Sequence, residues 1–448
     1  MSYPAYTEYG NAEADWLGTL PKQWTSRRLR FIATEPLMYG ANEAAVLDDK
    51  ELPRYIRITD VKGDGTLHDD TFRSLDEDVA APYLLEEGDI LLARSGATVG
   101  KSFQYLVSWG RAAYAGYLIR CRPDQNIIFP RFANYYFQTE CYWACIRSTL
   151  IQATIENFSA EKYKDLKLPL PPKAEQQQIA AFLDWKTGQI DALIVRKREL
   201  LEKLKEKRIA VITQAVTKGL NPAALMRDSG IPWLGQVPQH WDVPALKFRY
   251  NVELGKMLDE KRITGEHPVS YLRNVDVQWD KINYEDLPVM DITQDEYPRY
   301  TIKENDVLVC EGGEVGRSAV AGAQEDVIGF QKAIHRLRAD AGNELPKLLY
   351  YTLLWAVNTG VFSVEGASTI AHLTADQLRR YRFPRPPRSE QLAVVAYLDK
   401  RVGQIKKMTA KVESAIDRLT EYRAALITAA TTGKIDVRNV KVSTQGQP

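Results

Sequence analysis

The segment Gly96-Ala97-Thr98-Val99-Gly100-Lys101-Ser102 has the ingredients of a phosphate cradle: glycines that bare backbone donors, then a lysine and a hydroxyl. A nucleotide-binding P-loop keeps four residues between its glycines, and here there are three. A second segment of the same kind, Gly312-Gly313-Glu314-Val315-Gly316-Arg317-Ser318, has arginine for the lysine and an acidic residue inside the loop. A nucleotide site is therefore not expected. The histidines (His68, His240, His267, His335, His372) are scattered, and none pairs at metal-ligand spacing. Cys141 and Cys145 stand one helical turn apart without histidine or cysteine partners, and with Cys121 and Cys310 they read as reduced core cysteines of a cytoplasmic protein. There is no N-P-P-aromatic run of the kind used to methylate adenine; Asn221-Pro222-Ala223-Ala224 is a helix-terminating linker. No glycine-rich strand-to-helix turn for S-adenosylmethionine and no repeated D…E-x-K nuclease set is evident. No residues for covalent chemistry are expected in this chain.

The two glycine-rich segments belong to a larger pattern. Trp16-Leu17-Gly18, Pro21 and Trp24 recur as Trp233-Leu234-Gly235, Pro238 and Trp241. Tyr55, Arg57, Asp60 and Val61 meet Tyr271, Arg273, Asp276 and Val277. Pro171-Pro172, Glu175-Gln176, Leu183-Asp184 and Gly188-Gln189-Ile190 meet Pro386-Pro387, Glu390-Gln391, Leu398-Asp399 and Gly403-Gln404-Ile405. Each copy is far longer than a solenoid unit of ~20–50 residues, so the chain is a tandem duplication of a domain plus a connector. Two similar, non-identical units in one chain can read two similar, non-identical targets at a fixed separation.

With 448 residues, 45% hydrophobic and 26% charged, the composition is that of an ordinary globular chain. No apolar run approaches the ~20 residues of a membrane helix, and Met1-Ser2-Tyr3-Pro4 does not open a secretory signal. The net charge of +1 gives no general electropositive surface. A nucleic-acid reader of this composition must concentrate its basic residues on one face, or leave phosphate contacts to partner subunits.

The elements that must position such residues repeat in order. Tyr55–Val61 alternates like a strand, Asp89–Ala93 reads as a buried strand after the Glu87-Gly88 turn, and Tyr114–Arg122 reads as another. Pro130 opens a helix over Phe132–Ile146, and Ser159 and Thr374 are expected N-caps. The second copy gives strands at Tyr271–Val277, Asp306–Cys310 and Ala333–Arg338, then a helix over Leu348–Val357 after Pro346. Each copy ends in a stiff extended lead-in, Leu168-Pro169-Leu170-Pro171-Pro172 or Phe383-Pro384-Arg385-Pro386-Pro387. About 40 residues without proline follow. Ile190, Ile194, Lys197, Leu201, Leu204, Arg208, Val211 and Ala215 form one row at spacings of four and three. Ile405, Thr409, Val412, Ile416, Leu419, Arg423, Leu426 and Ala430 form the other. A sustained 3.5-residue repeat marks a coiled-coil seam, and matched registers in one duplicated chain point to two helices paired with each other rather than two unrelated surface helices.

This arrangement resembles the specificity subunit of type I restriction–modification enzymes, and the resemblance spans nearly the whole chain. The Trp-Leu-Gly…Pro…Trp entries (the second preceded by Asp228-Ser229-Gly230-Ile231-Pro232), the Ser95–Lys101 and Gly312–Arg317 loops, the Pro171–Gln176 and Pro386–Gln391 helix starts, and the ending Ile427–Val437 carry it. It implies an α+β fold: two mixed α/β target recognition domains (1–170 and 221–385) and two long spacer helices (171–220, and 386–448 with the tail). The helices would pair as an antiparallel coiled coil about an internal pseudo-twofold. It implies a non-catalytic subunit that binds a bipartite, asymmetric double-stranded DNA target, each domain reading one half-site. Two methylation subunits and the restriction/motor subunits would dock on it. S-adenosylmethionine, ATP and magnesium would sit on those partners only, in the cytoplasm and away from any membrane. A helix of about 40 residues spans roughly 60 Å and DNA advances ~34 Å per turn, so the helices would act as a ruler. Competing classes are a self-contained DNA methyltransferase or nuclease with two recognition domains, and a coiled-coil scaffold.

Candidate DNA contacts are Lys101 and Arg317 after the glycine-rich loops, Arg57 and Arg273 at matching strand positions, and Thr154 and Thr369 in matching polar loops. Arg94, Gln331 and Lys332 complete the set. For the loop residues the alternative is a plain hairpin turn with a surface cation; for Arg57 and Arg273 it is an ion pair with Asp60 and Asp276.

Overall fold

The structure, a computed structural model, describes residues 3–12, 14–62, 65–151, 157–258, 264–340, 342–363 and 372–442. The chain forms two compact units, residues 1–197 with 413–448, and residues 198–412.

In the first unit an antiparallel sheet runs in the order Met38–Tyr39, Leu118–Cys121, Ile90–Ala93, Ser102–Gln104. Ile90–Ala93 sits inside it with all four residues buried, which is why this strand reads as an unbroken apolar run instead of alternating. A short parallel pair, Arg54–Ile56 with Ala112–Tyr114, lies alongside. The second unit repeats this: Tyr250–Leu254, Ile334–Ala339, Val307–Cys310, Ser318–Val320 in one sheet, and Pro268–Leu272 parallel to Ile328–Phe330 beside it. Helices at Pro130–Tyr136 and Pro346–Asn358 supply the large apolar side chains, Phe132 and Tyr136 in one unit and Leu349 and Trp355 in the other.

Four expected elements turn out shorter. Of Tyr271–Val277 in the second unit, Tyr271 and Leu272 end the strand Pro268–Leu272, and Asn274–Asp276 closes a 3₁₀ turn around the Asp276 side chain. Tyr55–Val61 is a strand only over Arg54–Ile56, because Ile58–Asp60 closes a 3₁₀ turn around the Asp60 side chain. Tyr114–Arg122 is two strands separated by Ala115-Gly116-Tyr117. The Phe132–Ile146 helix is broken after Tyr136 and restarts at Glu140, where the Thr139 hydroxyl accepts from the Tyr142 amide as a cap would. The caps at Ser159 and Thr374 are present, accepting from the Lys162 and Gln377 amides.

The long helices cover Lys173–Lys218 and Arg388–Thr431. The beginning of one and the end of the other belong to the first unit: Ile190, Ile194, Leu426, Ile427 and Ala430 join its core, and Asp191 pairs with Arg423 at 3.0 Å. In the second unit Ile212, Ala215, Val394 and Leu398 join the core. Leu204 and Ile405 are also buried, whereas Leu201, Val211, Val412, Ile416 and Leu419 are half-buried. The tail after the second helix packs on the chain's beginning: the Asp436 amide donates to the Pro4 carbonyl, and the Tyr9 hydroxyl donates to the Gly433 carbonyl.

Candidate nucleic-acid interface

The residues shared by the two copies build a frame. Gln176 opens the first long helix, and its Nε2 donates to the carbonyls of Pro171 and Ile127 while its Oε1 accepts from the Phe129 amide. Gln391 makes the same three bonds, to Pro386, Asn343 and the Leu345 amide. This glutamine thus ties the helix start to the segment entering the domain's own helix. Beside it, Glu175 accepts from Tyr6 and from Trp24 Nε1 (3.1 Å), and Glu390 accepts from Trp241 Nε1 (2.9 Å). Tyr135 and Tyr351 each donate to the aspartate of the Leu-Asp pair, Asp184 and Asp399, at 2.7 Å. Each motif is therefore a polar contact that fixes a recognition unit to a long helix; Glu175, Gln176 and Gln391 are buried, where polar groups need such partners, and Asp184 and Glu390 are partly exposed.

On this frame the glycine-rich loops are hairpin turns between antiparallel strands, not strand-to-helix cradles. Gly96 and Gly100 adopt φ of +70° and +88°, and Gly313 and Gly316 +74° and +81°, a region that favours glycine. The Gly100 amide returns to the Ala93 carbonyl and the Gly316 amide to that of Cys310, so the second loop is one residue shorter.

The three-residue corners where the chain leaves the parallel pair for the larger sheet match bond for bond. In the first unit Ala41 N reaches Tyr114 O, Gly116 N reaches Ala41 O, Arg94 N reaches Tyr117 O, Leu118 N reaches Ala115 O and Gly40 N reaches Leu118 O. In the second, Lys256, Lys332, Glu311, Ile334 and Gly255 donate to Phe330, Lys256, Ala333, Gln331 and Ile334 in the same pattern. A Cβ on Gly40 would stand 2.2 Å from the Tyr114 carbonyl oxygen, and one on Gly255 2.2 Å from that of Gln331, so both glycines let the strands cross.

The sequence-predicted residues fall into different surroundings. Arg57 and Arg273 are bound to their own turns: both guanidinium groups hold Asp60 or Asp276 through two contacts of 2.7–3.0 Å, and the aspartates are buried. Hydrogen bonds from Arg273 draw the Asp276 carboxyl below its ordinary range against the opposing effect of burial. Arg317 turns inward and donates to the Asn274 carbonyl and side chain at 2.9 and 2.8 Å. Lys101, by contrast, is exposed and lines a cleft of about 960 Å³ in the first unit, together with Arg54, Lys62, Arg131, Asp184 and Arg423. Arg94 lies 4.7 Å over the Tyr39 ring. Gln331 and Lys332 line a recess of about 350 Å³ with Glu311. Thr154 and Thr369 lie outside the described residues. Tyr117 and Glu311 had no place among the sequence candidates. For Glu311 the shorter second loop was the signal that could have found it, because it moves the counterpart of Arg94 from position 310 to 311; no such signal marked Tyr117.

No group of three or more metal-ligating side chains occurs among the described residues, and no helix among them is long and apolar enough to cross a membrane.

Two units with one frame, each sharing a core with parts of two long helices, define a doubled recognition protein. The description "Type I restriction modification DNA specificity domain" matches residues 50–203 and 251–416, and the chain belongs to that family. It is 25% identical over 438 residues to the putative type I restriction enzyme MjaX specificity subunit of Methanocaldococcus jannaschii, covering 94% of this chain and 96% of that one. It is 25% identical over 364 residues to the EcoKI specificity subunit of Escherichia coli K12, covering 78% and 75%. The fold is similar to a chain from a structural study of complex assembly and conformational transition in a type I R-M system (TM-score 0.73, 15% identity, 92% and 98% covered). It is also similar to the HsdS subunit from Thermoanaerobacter tengcongensis (TM-score 0.56, 16% identity, 93% and 98% covered).

Proposed function

We propose that this specificity subunit binds a bipartite, asymmetric double-stranded DNA target, one half-site per recognition unit, and does no chemistry itself. The observation that carries this reading is the duplication: the framework contacts of Gln176, Glu175 and Tyr135 recur at Gln391, Glu390 and Tyr351, while the exposed corners and loops differ in sequence. The two long helices pair antiparallel about a pseudo-twofold and set the distance between half-sites; the burial of Ile190, Ile194, Leu204, Ile405 and Leu426 on the seam and the Asp191–Arg423 ion pair support this. The helix surfaces receive two methylation subunits, and restriction/motor subunits join for cleavage. S-adenosylmethionine, ATP and magnesium belong to those partners, and the complex works in the cytoplasm.

The test is to co-produce the chain with its methylation subunits and map modified adenines across a genome by methylation-aware sequencing. One split motif is expected. Replacing residues 221–385 with those of a relative of different specificity should change one half of that motif only, since the break points fall in the Gly219–Pro222 linker and before Pro386. Methylation without a bipartite motif, or a folded chimera in which both halves changed, would overturn the reading.

A further inference from the structure

We propose that the three-residue corners are where the two units set different base preferences, with Arg94 and Tyr117 acting in the first unit and Glu311, Gln331 and Lys332 in the second. This rests on the reading of the chain as a DNA-recognition subunit.

Residues that serve architecture are kept between the copies: Arg57 and Asp60 recur as Arg273 and Asp276, and Gln176 recurs as Gln391. The corners do the opposite. Every one of their five backbone bonds is kept, and every side chain on the strip is replaced. Ala41, Arg94, Ala115, Gly116 and Tyr117 correspond to Lys256, Glu311, Gln331, Lys332 and Ala333. Ala41 and Ala115 are buried in the first unit's core, so packing bears on those two positions; it does not account for the others. Tyr117 is 65% exposed and Lys332 is exposed, so neither fills a core. A fixed frame that presents variable, solvent-facing polar groups is what two related readers of unlike half-sites require.

The chemistry of the two strips differs in kind. The Arg94 guanidinium lies 4.7 Å over the Tyr39 ring and donates from one terminal nitrogen to the Gly116 carbonyl at 3.5 Å, which restrains its fork before binding; that fork matches the O6 and N7 acceptors of guanine. Gly116 leaves bare backbone beside Tyr117, so a base edge can approach closely. In the second unit Glu311, Gln331 and Lys332 line one recess. A glutamine amide matches the N6 donor and N7 acceptor of adenine, and a carboxylate accepts from the cytosine amine. The base pair facing the corner is therefore a guanine contact in the first half-site and an adenine contact in the second.

The complete chain, co-produced with its methylation subunits, tests this through the methylated motif. Gln331→Ala should relax the second half-site at one base pair by roughly ten- to hundredfold in preference, leaving the first half-site and the spacer as they were. The combined substitution L254Y/K256A/E311R/Q331A/K332G/A333Y, which writes the first strip and the ring under its arginine into the second unit, should move that base pair toward guanine. Should the combined variant fail to fold, the single Gln331→Ala and Lys332→Ala chains decide, with thermal melting as the check on folding. A folded Gln331→Ala chain that modifies the parental motif with unchanged preference overturns the proposal. So does one that weakens all sites equally, because that outcome is backbone contact and not readout. A wild-type chain directing no split motif would overturn the DNA-recognition reading itself, a result separable from an unchanged motif in the variants.

Discussion

At the scale of single residues, the basic side chains divide by what already holds them. Asp60 is buried and its carboxylate is bound by Arg57. Arg57→Ala leaves that charge without its partner, and removing one member of such a pair costs about 3 kcal/mol or somewhat less here, because Arg57 itself is about a third exposed. Chemical denaturation of the first unit should show this loss while the methylated motif stays the same. Lys101 has no ion-pair partner among the described residues and faces the cleft. Lys101→Ala should leave stability unchanged, weaken binding across all sequences and lower the salt slope by about one if it meets a phosphate; unchanged affinity and slope would remove it from the interface. His335 makes a third case. Its Nε2–H donates to the Leu373 carbonyl at 2.6 Å, and burial holds its pKa below the ordinary 6.5. The unfolded chain then binds the proton more readily than the fold does, so stability rises with pH through this window and is lost as pH falls below about 6.5. Melting of His335→Gln beside wild type between pH 7.5 and 5 should show a flatter profile for the variant.

At the scale of elements, the corner depends on glycine where strands cross. Gly255 leaves no space for a Cβ against the Gln331 and Phe330 carbonyls, and backbone cannot move aside as a flexible side chain can. Gly255→Ala should cost about 1–3 kcal/mol or more by overpacking. It should also disturb readout of the second half-site beyond what the stability loss explains, which parallel denaturation and motif mapping would reveal. An unchanged melting point would mean that the crossing strands can separate at little cost. The shorter second hairpin keeps the strand pairing of the first because the residue it lacks lies in the turn, outside the ladder.

At the scale of the whole molecule, the first long helix has 46 residues and so a length of roughly 70 Å at 1.5 Å per residue. Under the ruler proposal, one heptad inserted into this helix alone, between Lys203 and Lys207, should change the spacer of the methylated motif and leave both half-sites intact. A retained spacer would show that the helices do not measure the distance. A heptad keeps the seam facing the same way, so a change in spacer would report length and not a lost interface.

The sequence by itself determined the duplication, the order of elements and the helix starts. These are written in local chemistry: proline and glycine at turns, Ser159 and Thr374 at caps, apolar spacing along the long helices. It also marked Glu175, Gln176 and Asp184 through their recurrence, without saying what they touch. Only the tertiary structure decided which arginines are free. The sequence leaves Arg57 and Arg273 open between DNA contact and an ion pair with Asp60 and Asp276, and the structure shows the pair formed; Arg317 looks like a surface cation in one dimension, yet it is bound by the Asn274 carbonyl within 3 Å. The breaks at Ala115–Tyr117 and at Thr139 carry local signals, Gly116 in one and Gln138-Thr139-Glu140 in the other, but only the folded chain shows that the strand changes sheet and the helix restarts there. The correspondence of Arg94 with Glu311 had one faint sequence signal, the shorter second loop, and only the structure placed it. Equivalence between the copies there is set by backbone hydrogen bonds between distant strands, and these absorb a one-residue deletion that a fixed sequence offset cannot.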